Sequence, residues 1–162
     1  MRVRPAGTED VELVGALIDD ATEWVGRLGF VQWPLPFPRD ELAAAIGRGD
    51  VYVAEVDGEA AATVTVLVDD PVYWGERPPD ALYIHKLAVR RDRAGKGLGA
   101  ALVEWVGRRA ATLGRDYLRL DCLCGDAGIR RYYEGLGFEH RGDLDDAARG
   151  LRLSLYERRL AS

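Results

Sequence analysis

The chain is poor in cysteine: Cys122 and Cys124 are the only two in 162 residues. They lie two apart on a stretch with strand periodicity, so no disulfide framework can be built from them. A reducing cytoplasm is the expected setting. A metal site needs more ligands than this pair, and no motif places a base beside either thiol. Both are assigned to packing, and no metal is expected. Long apolar runs are missing as well. Nothing approaches the length that spans a bilayer, and the opening MRVRPAGTED holds no run of the signal-peptide kind, so no membrane role is expected. Positive charge is not in excess. A net charge of −5 argues against a dedicated nucleic-acid binder. No repeat, low-complexity tract or domain break interrupts the chain, so residues 1–162 are expected to form one domain with a substantial core.

What is present centres on Leu82–Arg109. Leu82–Val89 is apolar except for His85 and Lys86, which predicts a buried strand. From Leu98, apolar residues recur at Leu98, Leu102, Trp105, Val106, Ala110 and Leu113, which is helical spacing. Between them lies Ala94-Gly95-Lys96-Gly97-Leu98-Gly99. Glycines there let backbone approach a ligand, and the N–H groups opening a helix attract an anion, most often a phosphate. Two familiar phosphate motifs do not fit. Lys96 is followed by Gly97, so the hydroxyl of a P-loop is missing. Leu102 stands where a Rossmann fingerprint would place its third glycine.

Along the chain, Met1–Pro5 reads as a strand. Thr8 is placed to cap a helix whose apolar face is Val11, Val14, Leu17, Ile18, Ala21, Val25 and Leu28, with Gly29 ending it. Phe30–Pro38 holds three prolines and reads as rigid and irregular, and Asp40–Gly47 as a short helix. Val51–Val56 and Glu59–Val68 are strands joined at Asp57-Gly58, a hairpin signal. Asp69–Asp80 reads as a loop and Tyr117–Cys124 as a strand. Asp126 can cap a helix with an inward face of Ile129, Tyr132, Tyr133 and Leu136, stopped by Gly137. Phe138–Arg141 begins a strand, Gly142–Gly150 reads as an acidic loop, and Leu151–Arg158 alternates as a half-buried strand.

The strand Leu87-Ala88-Val89, the loop Ala94–Gly99 and the helix after it resemble the GNAT superfamily of acyl-CoA N-acyltransferases. Arg131–Phe138 resembles that family's Tyr-Glu-x-x-Gly-Phe signature. One departure is that the family usually has Arg or Gln where this chain has Ala94, with Arg93 one place early. The resemblance implies an α/β (α+β) fold: a central mixed, mostly antiparallel sheet of about seven strands, splayed at the middle and flanked by about four helices. It implies acetyl-CoA as co-substrate. Leu87, Ala88 and Val89 would pair with the pantetheine arm through backbone. Gly95, Gly97, Leu98, Gly99 and Ala100 would give amides to the diphosphate, with Arg93, Ala94 and Lys96 beside it. Arg130 would reach the adenosine side.

The resemblance also implies Tyr133 near the thioester sulfur, as the acid that protonates the leaving thiolate. Its place on the apolar face suits packing equally. His85 is the candidate base. His suits proton transfer near neutrality, and its spacing from Leu-Ala-Val resembles the arylalkylamine N-acetyltransferase branch. A buried histidine bonded to a neighbour, or deprotonation through water, is the other reading. Tyr83, His85 and Leu87 are expected to share one side of their strand. Trp24, Trp33 and Tyr83 are taken as the acceptor pocket. The expected reaction moves an acetyl group from acetyl-CoA to the primary amine of a small molecule, by direct attack in a ternary complex. The mildly acidic balance suits a cationic amine. An acetyltransferase for protein N-termini or lysines and a non-enzymatic acetyl-CoA-binding module stay open, as does a homodimer.

Overall fold

The computed structural model describes residues 1–161. Its elements run β1 (Arg2–Pro5), α1 (Val11–Arg27), α2 (Arg39–Gly47), β2 (Val51–Val56), β3 (Glu59–Leu67), α3 (Pro71–Trp74), β4 (Ala81–Val89), α4 (Leu98–Thr112), β5 (Tyr117–Leu123), α5 (Ala127–Gly135), β6 (Glu139–Asp146) and β7 (Leu151–Arg159). The strands form a mixed sheet in the order β1-β2-β3-β4-β5-β7-β6. This is the α/β architecture expected. The chain divides into two compact units, each built from two segments. One comprises Met1–Val66 and Lys86–Leu102, the other Leu67–His85 and everything from Val103.

In the first unit, β1 and β3 both pair antiparallel with β2. The hairpin at Asp57-Gly58 is present, with φ of 55° and 77°, the left-handed pair that a tight two-residue turn requires. Helices α1 and α2 bury Val14, Ile18, Leu42 and Ile46 against Val51 and Val53, and Phe37 completes this cluster. The Phe30–Pro38 segment is fastened to α1 by Asp19, which accepts from the Phe37 amide at 2.8 Å and pairs with Arg39 at 3.0 Å. The cap before α1 differs from the expectation. Thr8 lies inside a 3-10 turn, Thr8–Asp10, and the carboxylate of Asp10 accepts from the Gly7 amide at 2.8 Å instead.

Asp10 is buried and also takes two bonds from Arg4, at 2.7 and 3.0 Å. The Arg4 bonds, followed by the Gly7 amide, outweigh burial and hold its carboxyl below the usual carboxylate value. A lowered folded-state pKa adds stability above the unfolded value, and that stability is lost as pH falls through the folded one. Asp10→Asn is therefore expected to cost about 1–3 kcal/mol at pH 7, with the gap to the parent closing below about pH 4. Urea unfolding at several pH values checks this; a gap independent of pH would contradict it.

In the second unit, β4 and β5 pair in parallel from Ala81↔Tyr117 to Ile84↔Leu120. That ladder ends there, although β4 continues to Val89 and β5 to Leu123. β7 pairs antiparallel with both β5 and β6. Two readings are corrected. The Asp69–Asp80 loop contains the short helix α3, opened by Pro71, whose fixed φ suits a first helical position. Most of Gly142–Gly150 is strand, since β6 runs to Asp146 with an irregularity between His140 and Gly142. β6 is an edge strand, and its polar side chains suit a surface that must not recruit further strands.

Candidate active site

Each unit carries part of the chemistry picked out from the sequence. In the first, β4 leads into a 3-10 turn, Arg91–Arg93, and then into the glycine loop. Gly95 and Gly97 have φ of 74° and 79°, and a Cβ added at either would meet nothing within 4 Å. The Ala101 amide is the first to bond within α4, to the Gly97 carbonyl at 3.0 Å. The amides of Leu98, Gly99 and Ala100 therefore open the helix, where N–H groups and the helix dipole favour an anion. This cradle fits a diphosphate through backbone. Side chains contribute less: Arg93 sits 3.5 Å from both Asp57 and Glu59 of the β2–β3 hairpin, whereas Lys96 is exposed at the rim.

Lys86 has a φ of 48° in the middle of β4. A left-handed residue breaks the two-residue alternation of a strand. Tyr83 is buried, and His85 and Leu87 on either side of Lys86 are both partly buried. The Lys86 ammonium stands 5.4 Å from the Phe37 ring centroid. Of the acceptor-pocket tryptophans, Trp33 packs against the α1–α2 core, and Trp24 is exposed beneath the Arg91 guanidinium, 3.9 Å from its ring centroid. A separate cleft of about 710 Å³ lies between α1 and Arg90–Asp92, lined by Leu13, Leu17 and Asp20 among others. It contains none of the residues proposed for acyl transfer.

In the second unit, Tyr133 is buried on α5, edge-on to Tyr132 at 5.3 Å and to Phe138 at 5.8 Å between ring centroids. Asp126 caps this helix by accepting from the Ile129 amide at 3.1 Å, and Gly137 ends it with a φ of 89°. The expected inward face is corrected at Tyr132, which is exposed and leaves Tyr133 as the buried ring. Burial, helped by the neighbouring Cys122, Tyr132 and Asp121, raises the Tyr133 phenol well above its usual value. It is therefore fully protonated near neutrality, the state an acid needs. Burial likewise pushes the Cys122 thiol up to about 12, so it is no thiolate nucleophile. Arg130 donates to the Tyr156 hydroxyl at 3.0 Å.

Tyr83, the third acceptor-pocket residue, is buried, and its hydroxyl accepts from Arg119 at 2.9 Å. Arg119 was not picked out from the sequence. It is 2% exposed, donates to Glu157 at 2.7 Å and to Asp80 at 2.9 Å, and lies 5.1 Å from the Tyr117 ring centroid. Tyr83 thus belongs to a buried ion network. His85 is half-buried between two acids, Asp70 and Asp121. Its Nε2 is 3.0 Å from Asp70 Oδ2, and its Nδ1 is 3.8 Å from Asp121 Oδ1. The only sequence signals were an aspartate ahead of Pro71 and an acid alternating with Arg119 on a strand.

The sequence profile of the Acetyltransferase (GNAT) family matches residues 13–138. The chain belongs to this family. The GNAT chain is 32% identical over 146 residues to YesJ, an uncharacterized N-acetyltransferase of Bacillus subtilis strain 168, across 85% of this chain and 81% of that one. A GNAT acetyltransferase of Listeria monocytogenes shares its fold with a TM-score of 0.81 at 23% identity, covering 98% of this chain and 94% of that one. So does yncA of Salmonella typhimurium, solved with its cofactor acetyl-CoA: TM-score 0.74 at 17% identity, over 100% and 95% of the two chains. As a GNAT acetyltransferase the protein is an acyltransferase. Among its described residues no helix is long and apolar enough to cross a membrane.

Proposed function

We propose that this protein is an acetyl-CoA-dependent N-acetyltransferase that acetylates the primary amine of a small molecule in a ternary complex. The observation that carries the reading is the course of β4. One strand holds a half-buried imidazole at His85 and then runs through Leu87 into a glycine cradle built for a diphosphate. The presence of acetyl-CoA in yncA supports the same donor here. Backbone of Leu87–Val89 pairs with the pantetheine arm, in the manner of strand addition. Gly95–Ala100 hold the diphosphate, with Arg93 and Lys96 adding charge nearby and Arg130 on the adenosine side.

His85 takes a proton from the bound ammonium, which frees the nitrogen lone pair. A free alkylamine is only about 0.1% neutral at pH 7, so this step governs how much nucleophile exists. The nitrogen attacks the thioester carbonyl, and an N–H near Leu87 faces the oxyanion. The C–S bond breaks as Tyr133 protonates the leaving thiolate. Trp24 and Trp33 contribute apolar surface to the acceptor side. A cytoplasmic setting, with both cysteines free, belongs to the same proposal.

The test is a panel of small primary amines and peptides, followed by release of the CoA thiol. Small amines are expected to accelerate release and peptides are not. Turnover of peptides alone would make the protein a protein acetyltransferase, and binding of acetyl-CoA without turnover would make it a binding module. Tyr133→Phe is expected to lower kcat roughly 10- to 100-fold, within the range of general acid catalysis, with little change in the KM for acetyl-CoA. Wild-type turnover at every pH would remove Tyr133 from the mechanism.

A further inference from the structure

The segment between β3 and β4 carries contacts that the proposed chemistry leaves unused. Its helix α3 has four residues, too few to hold itself in water. Trp74 is buried and anchors the inner face of α3 in a cluster with Ala81 and Tyr83. Asp70, four residues earlier on the same face, is 9% exposed. It makes no side-chain cap bond, although an aspartate at an N-cap ordinarily accepts from its own helix. Its Oδ2 lies 3.0 Å from His85 Nε2 instead, and neither of these buried atoms has an aligned hydrogen bond. The Asp70 side chain is therefore aimed by the backbone that carries it, and so by whatever fixes α3.

Tyr73 supplies such a fixing. Its hydroxyl donates to Asp146 Oδ2 at 2.5 Å and accepts from Arg149 at 3.1 Å. Asp146 ends β6 and Arg149 lies in the turn before β7, so α3 is tied to a hairpin 73 residues further along the chain. The hairpin end is itself closed, since Asp146 Oδ1 accepts from the Arg149 amide at 3.3 Å. Arg149, Tyr73 and Asp146 form a chain of bonds with a charge at each end, in which each bond polarises the next. The Tyr73 bond holds the Asp146 carboxyl below its usual value. Burial, and then the Asp146 bond, raises the Tyr73 phenol. Near neutrality the phenol therefore donates and the carboxylate accepts. The Tyr73 ring packs against the Trp74 cluster, so its hydroxyl and its ring do separate jobs.

We propose that Tyr73, clasped by Asp146 and Arg149, is a positioning residue that sets α3 so that Asp70 faces His85. This rests on the reading of His85 as the base. A carboxylate opposite Nε2 favours a proton on that nitrogen and leaves Nδ1 as the acceptor of the proton that the ammonium gives up. Tyr73 stands about one helical turn from Asp70, so a small rotation of α3 moves both. Catalytic contacts of this kind often tighten only once substrate is bound. The clasp keeps Asp70 within reach of that tightening, while Tyr73, Asp146 and Arg149 touch no reacting atom.

Tyr73→Phe tests this, because it removes the hydroxyl and leaves the ring in its cluster. The ring resonances of the two histidines are followed by NMR in the intact protein without substrate. His85 is expected to move in Tyr73→Phe in the same direction as in Asp70→Asn. His140, at the far end of β6, is expected to stay in place, which a general loosening would not allow. With the amine of the panel that releases CoA fastest, Tyr73→Phe is expected to lower kcat about tenfold at constant KM for acetyl-CoA. On top of Asp70→Asn the same change is expected to lower kcat less than about twofold, since Tyr73 acts through Asp70. Asp146→Asn keeps an acceptor for the hydroxyl and should retain most of kcat, whereas Asp146→Ala should match Tyr73→Phe. A His85 signal in Tyr73→Phe identical to the parent's would overturn the proposal. So would equal losses of kcat with and without Asp70. The base reading fails separately: the His85 signals could move as expected while His85→Gln turns over normally.

Discussion

Gly97→Val is expected to weaken acetyl-CoA binding by at least a hundredfold, about 2.7 kcal/mol, making it one of the most damaging single changes on this chain. Gly97 has a φ of 79°, which a β-branched residue adopts only under strain. Relieving that strain would turn the peptide that feeds Leu98 and Gly99 and spoil the aim of their amides. The valine side chain would also project into the open space beside the loop, where a Cβ meets no protein atom and where the proposed diphosphate would lie. Because that space is empty of protein, the native packing is not the casualty. Thermal unfolding should therefore shift far less than binding. Calorimetry with acetyl-CoA decides the matter, and an unchanged Kd would mean that the loop does not hold the diphosphate.

The second large effect is on stability. Arg119→Met is expected to cost about 3–5 kcal/mol, the usual result of removing one member of a buried ion group. Glu157 is 9% exposed and loses its shortest contact, the 2.7 Å bond from Arg119; Arg141 at 3.3 Å is a weaker substitute. The Tyr83 hydroxyl and Asp80 lose their donor at the same moment. Adding Glu157→Leu to Arg119→Met should recover part of the loss, because the stranded charge goes with it. Urea unfolding of the single and double variants checks this. A loss below 1 kcal/mol in the single variant would mean that Arg119 is a bystander.

These two sites differ in how far the sequence exposes them. The glycine loop is legible because its shape is set by backbone, and backbone conformation is written in glycine. The same holds for the Asp57-Gly58 turn, the Gly137 stop and the Asp126 cap. Arg119 is not legible. Alternation predicts which strand residues share a face, but not that both faces of β5 are buried, so an arginine there reads as solvent-facing. What the sequence does not show is that the fold turns Asp70 toward His85, a contact between residues well apart in the chain. The acidic stretch of β6 failed as a strand because an edge strand with polar side chains has the composition of a loop. Thr8 was the expected cap, but the 3-10 turn takes it up, and Asp10 accepts from the Gly7 amide and from Arg4 instead.

The left-handed residue in β4 has one more consequence. Lys86 stands in the left-handed region, so β4 is not one uniformly extended strand but two stretches joined at a backbone angle that an L side chain rarely adopts. Forcing this residue into the extended region would redirect the chain that leads from Leu87 to the glycine loop. For anyone redesigning this scaffold, the irregular residue is the one whose backbone angle must be preserved, whatever side chain it carries.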